Sequence, residues 1–284
     1  MTSIVDPAQL TNELGGKWHQ AYGVAPCPVC QPQRRRDQNA LTVNVKDGRL
    51  LLHCKKSGCA FLDILAAAGL RSGIYTPPDA ATFAQRKAEQ KAKAEKRAAQ
   101  AKRLWLEAQP IADTLAETYL RRRGITAPLP ATLRFHPECW HGPTARRMPA
   151  MVAAVQGAGL PAVHRTWLRA DGLGKANIDP AKAMLGATAG GAVRLADGLV
   201  PLVVAEGIET ALSLASGLLR TPATIWAALS TSGIRGMNLP PQPTRLTIAP
   251  DGDAPGHLAA HALAERAHGL GWNVSILDLS LIHI

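Results

Sequence analysis

The 284 residues are enough for two domains, or for one domain and a small metal-held module. Lysine and arginine outnumber aspartate and glutamate by 32 to 21, which favours a polyanionic partner such as nucleic acid, whereas an aromatic content of 4% argues against a surface that stacks many bases. No segment has the pattern of a secretion signal or the apolar length of a membrane span, so we expect a cytoplasmic protein with no membrane partner.

Four of the five cysteines form two close pairs near the N terminus. Cytoplasmic thiols stay reduced, so two such pairs predict a structural Zn²⁺ site rather than disulfides. Short strands are predicted over Leu41–Val45 and Leu50–Leu52, with a turn at Lys46–Arg49 between them. A short helix follows at Phe61–Leu70, and His53 lies on the side of its strand that faces away from the neighbouring cysteine. The predicted zinc ligands are Cys27, Cys30, Cys54 and Cys59.

The segment Tyr22–Cys30, together with the second cysteine pair, resembles the zinc ribbon at the N terminus of bacterial and phage primases. In that family the second ligand is commonly histidine, where this chain has Cys30, and zinc accepts either residue. The resemblance implies that this module contacts a single-stranded DNA template. Two basic clusters, Arg34–Arg36 and Lys55–Lys56, suit such a contact, and a solvated loop is the alternative for them.

The stretch from Ala80 to Ala108 is rich in alanine and charged residues and has few apolar positions. This composition favours a helix with little buried face, so we expect residues 73–110 to form a basic helical linker. Such a helix either lies free in solvent or contacts the phosphates of a nucleic acid.

The rest of the chain divides into two parts. A helix over Ile111–Arg123 and the short strand-like runs that follow it predict an α+β subdomain. After about Leu199 the order becomes strand, helix, strand, strand, helix, strand, which is typical of an α/β domain with a largely parallel sheet. The predicted architecture is therefore a β module at 1–72, a linker at 73–110, an α+β subdomain at 111–198 and an α/β domain at 199–278.

Acidic residues follow two predicted strands of the α/β domain. Glu206 comes directly after Val203–Ala205, and Asp251 and Asp253 follow Leu246–Ala249. Ligands of open α/β sheets bind beyond the carboxyl ends of the strands, where these side chains are expected to meet. Neighbouring carboxylates repel one another unless cations bind, and a set of oxygen ligands selects Mg²⁺ or Mn²⁺.

The pair of motifs, Glu206-Gly207 and later Asp251-Gly252-Asp253, resembles the Toprim signature of DnaG-type primases. The resemblance implies a Rossmann-like catalytic domain in which these three acids hold catalytic metal, with Glu206 either a ligand or the general base. The chain departs from the pattern at Thr210, where replicative primases often carry an aspartate. Glu209 is adjacent, but one residue of helix turns a side chain by about 100°. In that family further acids usually follow the next strand.

Segments of the preceding part, Leu133–Pro137, His164–Leu168 and Gly174–Asn177, are similar to the subdomain before Toprim in primases. In those proteins basic residues hold the nucleoside triphosphate and the template backbone. The residues that this similarity implies for phosphate contacts are Arg165, Lys175 and Lys182.

Together these features predict a DNA primase that synthesises short RNA primers on single-stranded DNA from ribonucleoside triphosphates. A Toprim-type nuclease and a non-catalytic zinc-dependent DNA-binding protein are the alternatives. A topoisomerase needs a catalytic tyrosine, and Tyr22, Tyr75 and Tyr119 are all expected to lie far from the acidic domain. No phosphate-binding P-loop motif is present, so a replicative helicase would be a partner on another chain or a domain further downstream.

The last six residues, 279–284, read like the translation of a sequencing-library adapter. We expect the natural protein to continue beyond about Asp278, and a genuine final strand is the alternative.

Overall fold

The computed structural model describes residues 6–19, 22–35, 38–46, 49–70, 80–198, 200–219 and 221–278. They form two compact units, Met1–Ala92 and Lys93–Ile284. Several predicted features lie outside the described residues: Arg36 of the first basic cluster, the centre of the turn at 47–48, the start of the linker at 73–79, and the stretch 279–284. Among the helices that are described, none combines the length and apolar character needed to cross a membrane.

The first unit is built on a four-stranded antiparallel sheet with strands in the order β1-β2-β3-β4. The alternating apolar residues predicted to form two strands do so, in β3 and β4, and the predicted helix is α2. Gly23 is required on β2 because a Cβ there would overlap the side chain of Thr11, which packs against the strand from the first helix. The elements are α1 (Pro7–Glu13), β1 (Lys17–His19), β2 (Tyr22–Ala25), β3 (Leu41–Lys46), β4 (Arg49–Cys54) and α2 (Phe61–Ala67).

Helix α3 (Ala80–Glu107) has the helical structure that the composition predicts. The expectation of a solvated linker up to residue 110 is wrong for its C-terminal part. Ala101 and Ala108 are buried against Val152 and Val163 of the following sheet. The buried alanines follow the helical repeat and let one face of the helix approach the sheet closely, so this face, from Ala98 to Ala108, belongs to the second unit.

The second unit contains two sheets. The first is antiparallel, in the order β5-β6-β7-β8-β9, and helix α3 covers one of its faces. Residues that alternate with those covered by α3, such as Met151 and Ala153, point to the opposite face and join a core with Ile208 and Leu212 of the last domain. The elements are β5 (Gln109–Pro110), α4 (Leu115–Arg122), β6 (Leu133–His141), β7 (Arg146–Val155), β8 (Ala162–Trp167) and β9 (Lys182–Leu185).

The second sheet has the order β10-β12-β11-β13-β14, with β10 antiparallel and the other strands parallel. This arrangement confirms the predicted α/β fold with a largely parallel sheet. Helix α7 (Ala254–Gly269) begins directly after Asp253, whose carboxylate caps it by accepting the Gly256 N–H at 2.8 Å. A π-helical turn, Leu214–Leu218, follows α5. The elements are β10 (Val193–Ala196), β11 (Leu202–Ala205), α5 (Ile208–Ser213), β12 (Thr224–Ala227), α6 (Thr231–Gly236), β13 (Arg245–Ala249), α7 (Ala254–Gly269) and β14 (Asn273–Ile276).

Candidate metal and nucleotide sites

The four paired cysteines converge in the first unit. Their Sγ atoms all lie within 4.8 Å of one another, and Cys30 and Cys54 are 3.6 Å apart at sulfur. A tetrahedron of thiolates around Zn²⁺ has edges of about 3.8 Å, which follows from Zn–S bonds of about 2.3 Å. Burial acts to raise the pKa of Cys54, but the N–H groups of Ser57, Cys59 and Lys56 outweigh it and lower that pKa to about 6. The four side chains therefore fit a structural zinc ion.

His53 is not among the converging groups. It is level with Thr42 on the neighbouring strand, whereas Cys54 is level with Leu41, so the two side chains point to opposite faces of the sheet. The imidazole is exposed. This placement agrees with the prediction that His53 lies on the side of its strand away from Cys54.

The four-stranded sheet β1–β4 of the first unit, called the ribbon sheet below, is open to solvent on the face that carries His53. Its residues include His19 and Tyr22, whose rings stack with centroids 5.4 Å apart, and the exposed Leu51. Lys55 and Lys56 are exposed beyond the end of β4, in agreement with either alternative given for them. Arg34 is partly tied down, because its guanidinium donates to the Glu13 carbonyl at 3.1 Å. The first unit thus presents an aromatic and basic surface.

The second site lies at the carboxyl edge of the parallel sheet. Strands β11 and β13 are neighbours and Ala205 is level with Ala249, so the backbones carrying Glu206 and Asp251 leave the sheet side by side, about 5 Å apart. The Glu206 carbonyl accepts the Leu229 N–H at 2.8 Å, which fixes the backbone at this point. Asp253 follows in a loop that needs glycine at 256, where a Cβ would lie 2.5 Å from the Asp251 carbonyl oxygen. The topology therefore brings the three predicted acids to one edge.

The carboxylates at this edge differ in their surroundings. Asp251 and Asp253 are exposed, whereas Glu206 is half-buried and its Oε2 is buried without a hydrogen-bond partner. Burial, followed by the charges of Asp251 and Asp253, raises the pKa of Glu206, and the charge of Lys182 opposes the shift. Among the described residues, the four thiols form a group compact enough to share one metal ion, whereas these three carboxylates do not form such a group. An unsatisfied carboxylate oxygen beside two further carboxylates is the donor set that Mg²⁺ or Mn²⁺ takes.

Two of the three predicted phosphate-binding residues lie on opposite faces of the β5–β9 sheet. Lys182 is level with Thr166, while Arg165 is level with Ala183, so Lys182 and Arg165 point to opposite faces. Arg165 packs over the Trp167 ring at 4.8 Å and donates to main-chain carbonyls on the α3 side. The structure therefore does not bring Arg165 to the acidic edge, whereas Lys182 lies close enough to influence Glu206.

Glu209, which was not expected to replace the aspartate of the family pattern, takes part in a buried cluster of charged groups. Its carboxylate is almost completely buried, accepts a hydrogen bond from the Tyr119 hydroxyl at 2.7 Å and forms an ion pair with Lys175 at 3.1 Å. Burial alone would raise the pKa of Glu209, but the charge of Lys175 and the Tyr119 hydrogen bond outweigh it and lower the pKa to about 2. The sequence did carry a signal for this role, because Glu209 is an acidic residue among mostly apolar neighbours in the first turn of α5.

The same contact corrects the expectation that Tyr119 lies far from the acidic domain. Its hydroxyl reaches Glu209 of that domain, although the two residues are 90 positions apart. Burial, together with the charge of Glu209, raises the pKa of Tyr119. A buried phenol that holds its proton and donates it to a carboxylate does not fit the role of a topoisomerase nucleophile.

His164, which was given no role from the sequence, is a buried residue on the same sheet as Lys182. It lies on the same face as Lys182 and is buried, with its Nδ1 atom lacking a hydrogen-bond partner. Burial lowers the pKa of His164 to about 4, and the charges of Lys182 and Arg165 act in the same direction. The imidazole is therefore neutral at pH 7.

Comparisons with known proteins divide the second unit into its antiparallel-sheet part and its parallel-sheet part. Residues 95–195 match the family described as a domain of unknown function (DUF7146), and residues 201–282 match the Toprim domain family. With the sheet order above, the chain therefore has a mixed α/β fold that includes a parallel-sheet Toprim domain. The first match begins within α3, near the point where that helix becomes buried.

One solved structure, that of a DNA primase domain from Pseudomonas aeruginosa, is similar to this chain with a TM-score of 0.36 and 20% sequence identity. The similarity covers 60% of this chain and 65% of that one. No curated protein matches the chain.

Proposed function

We propose that this protein is a DNA primase that makes short RNA primers on single-stranded DNA by metal-dependent nucleotidyl transfer. The observation that carries the proposal is the carboxyl edge of the parallel sheet, where the charges of two aspartates and of Lys182 act on Glu206. Carboxylates that hold a divalent cation, beside ammonium groups that bind phosphates, are what the transfer of a nucleotide from a triphosphate requires.

Each group has a definable part in this reaction. Glu206 holds the metal through the oxygen that has no other partner, and Asp251 and Asp253 supply the exposed oxygens on its open side. Lys175 and Lys182 bind the triphosphate of the incoming ribonucleotide. When bound, Mg²⁺ or Mn²⁺ would favour attack of the 3′-hydroxyl on the α-phosphate and stabilise the pyrophosphate that leaves. Arg165 is not assigned to the triphosphate, because it points to the other face of its sheet.

The zinc-held first unit is proposed to contact the template. Stacking on Tyr22 and His19 needs no particular base, and the nearby lysines attract phosphates, so this surface suits single-stranded DNA of any sequence. A replicative helicase would be a separate partner in this scheme.

The test is ribonucleotide incorporation on single-stranded DNA with Mg²⁺ or Mn²⁺, using the wild-type chain and Glu206→Gln. Loss of the buried ligand is expected to lower incorporation roughly 100- to 1000-fold. Glu265→Gln is the matched control, since it removes an exposed carboxylate from α7 of the same domain and is expected to retain full activity.

The result also separates the alternatives. Cleavage of DNA without added nucleotides, abolished by Glu206→Gln, would identify a Toprim-type nuclease. Template binding with neither reaction, unchanged in Glu206→Gln, would leave a non-catalytic DNA-binding protein and contradict the proposal.

A further inference from the structure

The ion pair between Glu209 and Lys175 joins the two segments that match different families. Glu209 belongs to the Toprim segment, whereas Lys175 and Tyr119 belong to the segment 95–195. Lys175 Nζ and Tyr119 Oη both contact the same oxygen, Oε1 of Glu209, at 3.1 and 2.7 Å. One carboxylate of the Toprim domain therefore fixes two side chains of the domain that precedes it.

The two ends of the ion pair differ in exposure. The side chain of Glu209 is 8% exposed and that of Lys175 is 32% exposed, so the lysine reaches inward to a buried charge while part of it stays open to solvent. An ammonium group has three N–H donors. Glu209 takes one of them, and the others remain for a ligand on the open side.

A second lysine links this ion pair to the acidic edge, because the charge of Lys182 acts on both Glu209 and Glu206. Glu209 lies on the first turn of α5, three residues after Glu206, and the turn between them is short. A free lysine side chain has four rotatable bonds, and ordering them on binding costs affinity. A lysine already held by a buried carboxylate avoids most of that cost.

We propose that Glu209 is a positioning residue: it holds the Lys175 ammonium at the edge of the carboxylate cluster, where the ammonium takes a phosphate of the ribonucleoside triphosphate. The inference rests on the proposed function, because it assigns the phosphate-binding role to Lys175. Glu209 acts through Lys175, because the ion pair holds the ammonium in place.

The experiment measures ATP binding in Mg²⁺ to the full chain, without template, by isothermal titration calorimetry. Lys175→Met and Glu209→Gln are each expected to weaken ATP binding, by about tenfold. The double variant is expected to bind no more weakly than either single variant, because both changes remove the same interaction. Glu117→Gln is the matched control: it breaks an exposed ion pair with Arg121 on α4 and is expected to bind ATP as the wild type does.

Glu209→Asp guards against a folding defect in Glu209→Gln, since it keeps the buried charge but shortens its reach, and it is also expected to weaken binding. Wild-type ATP affinity in Glu209→Asp or Glu209→Gln, alongside a loss in Lys175→Met, overturns the inference and leaves the proposed function intact. Additive losses in the double variant overturn it too, because Glu209 would then act independently of Lys175. If the wild-type chain binds no ATP, the proposed function fails and the inference with it.

Discussion

Glu209 stays ionised although its carboxylate is almost completely buried. Two donors on one oxygen, the ammonium of Lys175 and the hydroxyl of Tyr119, replace the water that burial removes. Glu206 lies three residues earlier and has the opposite surroundings, because its buried oxygen has no donor and its neighbours are acids. The pKa values of the two glutamates are therefore pushed apart, so Glu206 is the one that gains from a cation.

The lowered pKa of Glu209 has a consequence for stability. The folded state keeps Glu209 ionised to about pH 2, whereas the ordinary pKa is 4.5, so its stabilisation is complete above pH 4.5 and is lost as the pH falls toward 2. A shift of this size corresponds to about 3 kcal/mol. We expect the difference in free energy of unfolding between the wild type and Glu209→Gln to shrink across this range, measured by urea unfolding at several pH values. Parallel pH profiles for the two proteins would contradict this assignment.

At the scale of elements, helix α3 shows how a solvated composition can hide a buried face. Lysines and arginines dominate its sequence, but Ala98, Ala101 and Ala108 are buried, and Leu104 and Trp105 pack beside them. The spacing of these residues follows the helical repeat, and alanines make a narrow stripe that contributes little to overall hydrophobicity. The second unit therefore begins inside this helix.

Substitution on the two sides of α3 tests this packing. Ala101→Asp places a charge against Val152 and Val163 and is expected to destabilise the second unit by about 3 kcal/mol or more. Leu106→Asp, at a position that is 67% exposed, is the matched control and is expected to change the free energy of unfolding by less than about 0.5 kcal/mol. Urea unfolding measures both. Similar small effects would show that the helix does not pack on the sheet in solution.

The ribbon sheet offers a second test at this scale. Tyr22→Ala removes the exposed ring from the open face and is expected to weaken binding of a single-stranded oligonucleotide by about 1–3 kcal/mol, the usual contribution of one stacked base. Phe61→Ala removes an aromatic ring of similar exposure from α2 and serves as the control. Fluorescence anisotropy with a labelled oligothymidine measures both. Equal losses would mean that the open face has no special role.

Across the whole molecule, each of the two units is stabilised in a different way. The first has a small core in which two of the four converging cysteines, Cys27 and Cys54, are themselves buried members. The second has two sheets that share one large apolar core. Structural zinc contributes on the order of 10 kcal/mol to small modules, which is comparable with the whole stability of a domain.

Zinc removal is therefore expected to unfold the first unit and leave the second folded. Hydrogen exchange monitored by mass spectrometry should show that a strong chelator abolishes protection in β3 and β4 but not in β7 and β8. Cys54→Ser should bind no zinc, whereas Cys139→Ser, which changes the remaining cysteine, should keep one zinc per chain. Retained protection in β3 after complete zinc removal would contradict this view.

Features that depend on local pattern could be predicted from the sequence. Cysteine spacing predicted the four converging thiols, alternating apolar residues predicted β3 and β4, and the order of strands and helices predicted the parallel sheet with Glu206 and Asp251 at its edge. These predictions succeed because a strand that ends in an acid delivers it to the same edge as its parallel neighbour, whatever the rest of the chain does.

Contacts between residues far apart in the sequence could be identified only from the folded structure. Tyr119 and Lys175 reach Glu209 because the face of the antiparallel sheet opposite α3 packs against the Toprim domain. Arg165 lies away from the acidic edge because strand register turns it to the face that α3 covers. Neither outcome follows from local pattern, since a shift of register by one residue would exchange Arg165 with its neighbours on the strand. The choice between the two faces depends on the packing of the whole core.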